Sequence, residues 1–248
     1  DLYPIIRKRA QEGPIYAPTL ALRELHPEYA DRIPSVAEQF TPDNHHDMVR
    51  FEIMKQFGYF VTESSEHSSE YYPWFIKKAH PELIDRFHIP LDEYPRRCRD
   101  QIARWKQQAE HLVHNENLTH TRSSEYAAGI IEALETGRTF GFAGNVLNTG
   151  LIDNLPFDAC VEVSCMVNEG HLSPCHMGPL PNQLAALNRR QIEVHQLTVD
   201  AALTRKKEYI YQAAMLDPHA GSELTIDEIR SLVDDLIQAH GDWLPEYH

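Results

Sequence analysis

Phe140-Gly141-Phe142-Ala143-Gly144-Asn145-Val146 and, a short loop later, Cys160-Val161-Glu162-Val163-Ser164-Cys165-Met166-Val167 are the stretches that decide the fold. Both read as strands, the second with the β-branched composition of a buried one. The glycines of the first stretch come near a nucleotide-binding fingerprint but do not make one. Gly141-Phe142-Ala143-Gly144 is too short, and no helix start follows it. No G-x-G-x-x-G follows a strand and no P-loop occurs anywhere, so the sequence contains no Rossmann dinucleotide site of its own.

Outward from that centre the pattern turns helical. Toward the N-terminus, residues 1–42 are Pro-punctuated and partly helical. Asp43 is placed to cap a helix with the apolar stripe Met48, Phe51, Met54 and Phe57, and Gly58 stands at its C-terminal stop. Tyr59-Phe60-Val61-Thr62 reads as a short strand with Tyr59 in the core, followed by a polar turn over residues 63–67. A long polar helix is expected over residues 91–112, with Ile102, Trp105, Ala109 and Leu112 on one face, and another over 124–135, ended by Gly137. After Pro181 the chain reads as helix almost to its end. Thr225-Ile226-Asp227-Glu228 forms a capping box, and Trp243 and Leu244 look like groove-anchored residues of a docking tail. The expectation is an α+β fold, mainly helical with a small mixed sheet, in which residues 1–248 form a single domain.

Composition narrows the partners. A formal charge of −14 over 248 residues, with no Lys/Arg stripe, argues against a nucleic-acid backbone or an anionic membrane surface. Neutral small molecules, metal ions or copies of the same chain fit better. No apolar run approaches the roughly 18 residues a membrane span needs. Cys98, Cys160, Cys165 and Cys175 follow no C-x-x-C spacing. Reduced thiols in a cytoplasm are therefore the expectation.

The densest chemical constellation is Glu63-Ser64-Ser65-Glu66-His67-Ser68-Ser69-Glu70-Tyr71-Tyr72-Pro73-Trp74. Carboxylates grip sugar hydroxyls, and an aromatic face packs on a sugar's C–H face. The alternative is a solvated turn anchored by Trp74. Asn148 and Asn154, in the loop between the two strands, can donate to a ligand hydroxyl or stabilise turns through their own backbone. The fifteen histidines include His45-His46 and Cys175-His176, but none shows metal-site spacing. Cys160 and Cys165, five apart on one strand, point to opposite faces. Asp234-Asp235 reads as the solvated face of an amphipathic helix.

Gly58-Tyr59-Phe60-Val61-Thr62-Glu63-Ser64-Ser65-Glu66-His67, with Glu70-Tyr71 and Pro73-Trp74-Phe75-Ile76-Lys77, resembles the α-galactosidase branch of glycoside hydrolase family four. Leu91-Asp92-Glu93-Tyr94-Pro95, Gly150-Leu151-Ile152-Asp153-Asn154-Leu155-Pro156 and Ala213-Ala214-Met215-Leu216-Asp217-Pro218-His219 match in the same order. The resemblance implies the last half, or slightly more, of a family member, without its Rossmann domain. It also implies an exception to the two-carboxylate glycosidase scheme. There, NAD oxidises the sugar's C3 hydroxyl, a base removes the acidified C2 proton, and the glycosidic oxygen is expelled. Mn²⁺ holds the C2 and C3 oxygens. The ligands for NAD and Mn²⁺ belong upstream of the matched region.

What the resemblance leaves to this chain is the base and the sugar pocket. Tyr71 is the first candidate base. A phenol titrates near 10 and suits that role only if cations lower it. Glu66 and His67 stand as alternatives or sugar contacts, with Glu63 and Asn148 as substrate-binding residues. The implied whole is a cytoplasmic, homo-oligomeric hydrolase of α-galactosides such as melibiose. The alternative for the chain alone is a non-catalytic oligomerisation and sugar-contact module.

Overall fold

A computed structural model describes residues 47–115, 117, 119, 123 and 125–248. Asp43, His45-His46 and the segment 1–42 lie outside the described residues. In chain order the described helices and strands are α1 (Met48–Phe57), α2 (Ser65–Tyr71), α3 (Glu82–Arg86), α4 (Glu93–His114), α5 (Ala127–Thr136), β1 (Phe140–Leu147), β2 (Cys160–Asn168), β3 (His171–Pro174), α6 (Asn182–Thr204), α7 (Lys207–Leu216), α8 (Ala220–Glu223) and α9 (Ile226–His240). They form two compact units. One runs to Ile89 and resumes over Pro181–His248; the other is Pro90–Leu180.

In the first unit, the apolar face of α1 supplies Met48, Val49 and Ile53 to a core shared with Phe75, Phe87 and Ile89. Each such buried side chain contributes about 1.5–3 kcal/mol relative to exposure. Gly58 ends α1 in the left-handed region, φ 84, and its N–H bonds the Met54 carbonyl. The expected strand at 59–62 is absent. Arg50 shows why: its Nε and Nη2 donate to the Val61 carbonyl at 3.0 and 2.9 Å, so a side chain takes the place of a neighbouring strand. Phe60 packs on Phe51 and Met54, while Tyr59 is exposed rather than in the core.

The C-terminal helices complete this unit. α6 packs on α7, and α9 packs on α7. The capping box at Thr225 and Glu228 forms with both of its bonds. Asp234 is more than a solvated residue. Its Oδ1 accepts from the Lys207 ammonium at 2.6 Å and from the Tyr211 hydroxyl at 2.5 Å. Those two hydrogen bonds, Lys207 first, pull its carboxyl below the usual range. The tail corrects its sequence reading too. Trp243 is 91% exposed and sits in no groove. The chain end is tied down instead by His248, whose N–H donates to the Arg205 carbonyl and whose carbonyl accepts from Lys207 N–H, both at 2.9 Å.

In the second unit, β1 pairs antiparallel with β2, and β2 with β3, in the order β1-β2-β3. The sheet is antiparallel throughout rather than mixed: the loop after Leu147 turns β2 back along β1, and a tight hairpin joins β2 to β3. Glu169 (φ 32) and Gly170 (φ 81) make that turn, the backbone that two-residue hairpins favour. Val161, Val163, Cys165 and Val167 alternate to the buried face of β2, and Cys160 faces out. α5 covers β1 and β2, with Tyr126 stacked on Phe142 at 5.6 Å. Gly129 permits that approach, since a Cβ there would lie 2.6 Å from the Phe140 ring. α4 buries none of its residues, and Ile102, Trp105 and Leu112 are all exposed.

Candidate active site

The expected polar turn at 63–67 is the entry to a helix. Ser64 takes the extended N-cap conformation and its Oγ accepts from His67 N–H at 3.2 Å, which starts α2. Arg50 N–H donates to Ser65 Oγ at 3.2 Å, so α1 holds the first turn of α2 in place. Helical spacing then gathers Glu63, His67, Glu70 and Tyr71 along one side, with Glu66 beside them. His67 Nδ1 lies 3.0 Å from Glu70 Oε2, and its ring stacks on Tyr71 with centroids 6.1 Å apart. Glu63 Oε1 accepts from Ser64 N–H at 2.8 Å.

Below this face, serines turn inward. Ser69 is fully buried and its hydroxyl donates to the Glu66 carbonyl at 2.6 Å. Ser68 is equally buried, and its hydroxyl has no partner among the described residues. The aromatic run that follows forms a block. Trp74 stacks on Phe57 and on Tyr72, each at 5.2 Å, and meets Phe75 edge-on. One tie comes from far along the sequence. Gln191 of α6 donates its side-chain amide to the Tyr71 carbonyl at 3.2 Å across 120 residues. No local pattern signals Gln191, because its role depends wholly on how α6 packs.

The electrostatics of α2 are acidic. The hydrogen bond that Glu70 accepts is the main reason the His67 imidazole titrates above its ordinary 6.5, partly opposed by burial and reinforced by the charges of Glu63, Glu70 and Glu66. Burial first, then the Glu63 and Glu70 carboxylates, push the Tyr71 phenol above 10. A phenolic base needs the opposite shift. Base action by Tyr71 would require a cation from outside the described residues.

Asn148 lies in the other unit and is fully buried. Its amide Nδ2 donates to the carbonyls of Ile152, Leu155 and Pro156 at 3.0, 3.1 and 3.0 Å, and its Oδ1 accepts from Ile152 N–H at 2.7 Å. Asn154 bonds both ways with Leu180, at 2.8 and 2.9 Å. Both carboxamides hold loop backbone together. Nearby, His176 Nε2 sits 2.7 Å from Asp153 Oδ1. Among the described residues no three His, Cys, Asp or Glu side chains converge to hold a metal ion. The antiparallel sheet supplies no βαβ phosphate turn either. These described residues do not fit NAD or Mn²⁺. No helix among the described residues is long and apolar enough to cross a membrane.

The fold is a mainly helical α+β one with an acidic, aromatic-flanked helix beside its core, and comparison with known proteins places it. Residues 1–220 match the family 4 glycosyl hydrolase C-terminal domain, and the chain belongs to that family. It is 57% identical over 224 residues to an α-galactosidase of Bacillus subtilis, covering 90% of this chain and 51% of that protein. An α-galactosidase of Rhizobium meliloti is 32% identical over 212 residues, covering 81% of this chain and 43% of that one. The chain thus spans about half the length of the curated relatives it matches. Among solved structures, a Bacillus subtilis protein provisionally named as a glucosidase superposes with a TM-score of 0.69 at 22% identity, over 88% of this chain and 50% of that one. A 6-phospho-α-glucosidase from gut microorganisms, solved with NAD and Mn²⁺, gives 0.56 at 21% identity, over 80% and 44%. These superpositions establish the shared fold.

Proposed function

We propose that this chain is the C-terminal part of an NAD- and Mn²⁺-dependent bacterial α-galactosidase that cleaves α-galactosides such as melibiose by C3 oxidation, C2 deprotonation and elimination. The observation that carries the reading is the strong likeness to α-galactosidases over most of the chain. The family match runs through both compact units, which supports treating residues 1–248 as one functional domain. Cofactor chemistry lies outside the described residues, so the part assigned to this chain is sugar binding and proton transfer. The carboxylates of exposed Glu63 and half-buried Glu66 accept hydrogen bonds from sugar hydroxyls, and the exposed part of Trp74 offers apolar surface. Tyr71 is the first candidate base, dependent on a cation supplied from elsewhere; His67 and Glu66 are the alternatives. Asn148 contributes by fixing its loop. Four free thiols suit a reducing, cytoplasmic setting.

The test is hydrolysis of an aryl α-galactoside by the full-length parent. Turnover is expected only with NAD and Mn²⁺ both present, and cofactor-independent turnover would sink the reading. If Tyr71 is the base, Tyr71→Phe lowers kcat by about 10² or more with little change in KM. The absence of a converging metal cluster among the described residues favours a second reading for the chain alone, a non-catalytic oligomerisation and sugar-contact module. Turnover by this 248-residue chain with added NAD and Mn²⁺ would exclude that reading, and light scattering tests the self-association it implies.

A further inference from the structure

At Pro73, two residues after the candidate base, opens a cleft of about 340 Å³, lined also by Arg190, Glu193, Met215, Leu216 and Asp217 among others. The volume is at the lower end of small-molecule sites, which run from about 300 to 1,000 Å³. Its walls are fixed from several directions. Gln191, next to Arg190, holds the Tyr71 carbonyl, and Pro73 follows two residues later. Ser222, also at the cleft, accepts a hydrogen bond from Lys77 at 3.3 Å. Lys77 also pairs with Glu223. Asp217 Oδ1 accepts from His219 and Ala220 N–H at 3.0 and 2.7 Å, which shapes the turn between α7 and α8.

The chemistry of the lining is selective. Arg190 and Glu193 stand one helical turn apart on α6 without bonding each other, and neither has an ionic or hydrogen-bonded partner among the described residues. A guanidinium that shares the cleft with two carboxylates, Glu193 and Asp217, makes a poor anion site because their charges offset its field. Opposite charges over an apolar floor of Pro73, Met215 and Leu216 suit a neutral, hydroxyl-rich molecule. Vicinal hydroxyls can donate to the carboxylate and accept from the guanidinium while the C–H face packs on the floor. We propose that this cleft is a saccharide-binding site separate from the 63–71 face, sized for a mono- or disaccharide and gripped by Arg190 and Glu193.

Melibiose titrated into the 248-residue chain without NAD or metal, followed by saturation-transfer NMR and calorimetry, tests this. In a Glu63→Gln background, which weakens the 63–71 face, saturable binding is expected to persist, to weaken at least about tenfold with Arg190→Ala or Glu193→Ala, and to be abolished by Leu216→Trp, which fills the cleft. All three side chains are exposed, and unchanged thermal melts would show the variants folded. Three outcomes overturn the inference. They are no saturable binding by the native chain, binding that survives Arg190→Ala and Leu216→Trp but is lost with Glu63→Gln, and competition by inorganic phosphate that marks an anion site. A parent enzyme that fails to hydrolyse α-galactosides would overturn the proposed activity and leave this binding result standing.

Discussion

Asn148 and the 63–71 segment look alike on paper, each a polar stretch beside an apolar run, yet they sit at opposite physical extremes. Asn148 is completely buried and spends its whole carboxamide on four bonds within its own loop. Glu63, Glu66, His67 and Glu70 stay in contact with water, and of the contacts seen there the His67–Glu70 pair joins two exposed side chains. The difference separates a polar residue that replaces water for the backbone from one that offers itself to a ligand. Desolvation decides it. A buried amide must satisfy its partners or cost stability, whereas an exposed carboxylate can exchange water for a sugar hydroxyl at little cost.

The contrast can be broken most forcefully at Asn148. Asn148→Ala strands an N–H and three carbonyls, and should destabilise the chain by roughly 3 kcal/mol in chemical denaturation. A loss under 1 kcal/mol would mean the loop does not depend on it. Ser64→Ala, which removes the cap of α2, should cost about 1 kcal/mol while leaving the side chains of the acidic face in place. Glu63→Ala and Glu66→Ala should change stability by no more than about 0.5 kcal/mol. Larger losses would make these residues structural.

The finest distinction is electrostatic. Glu70→Gln should lower the His67 pKa toward 6.5, read by NMR titration, since the Glu70 bond is the largest cause of its rise. Because the folded pKa is raised, the stabilising contribution of His67 is full below 6.5 and fades as pH rises through the folded value. The pair is exposed, so this amounts to a few tenths of a kcal/mol at most. Glu63→Gln should likewise bring the Tyr71 phenol down toward 10, visible in ultraviolet titration.

Much of this was legible beforehand where the signal is local. The alternation in residues 160–167, the glycine stops at Gly58 and Gly137, and the Thr225–Glu228 box depend on neighbours a few residues apart, and all three appear in the fold. Residues 59–62 misled because β-rich composition describes a preference, whereas a strand needs a partner; Arg50 captured the Val61 carbonyl instead. Trp243 misled similarly, since an apolar side chain near a chain end implies a groove only if one is present.

The sequence by itself determined the family, the helical and strand periodicities, and which residue types gather at 63–74, because these are properties of spacing and order. Only the tertiary structure decided what those residues do with their polar groups. It buried Asn148, left Glu63 in water and Glu66 half-buried, and pushed the Tyr71 phenol up through burial first and neighbouring carboxylates second. It also brought Gln191 to the Tyr71 carbonyl from 120 residues away. Burial, hydrogen-bond partners and local charge all arise from the packing of distant segments, and no short stretch of sequence carries that information.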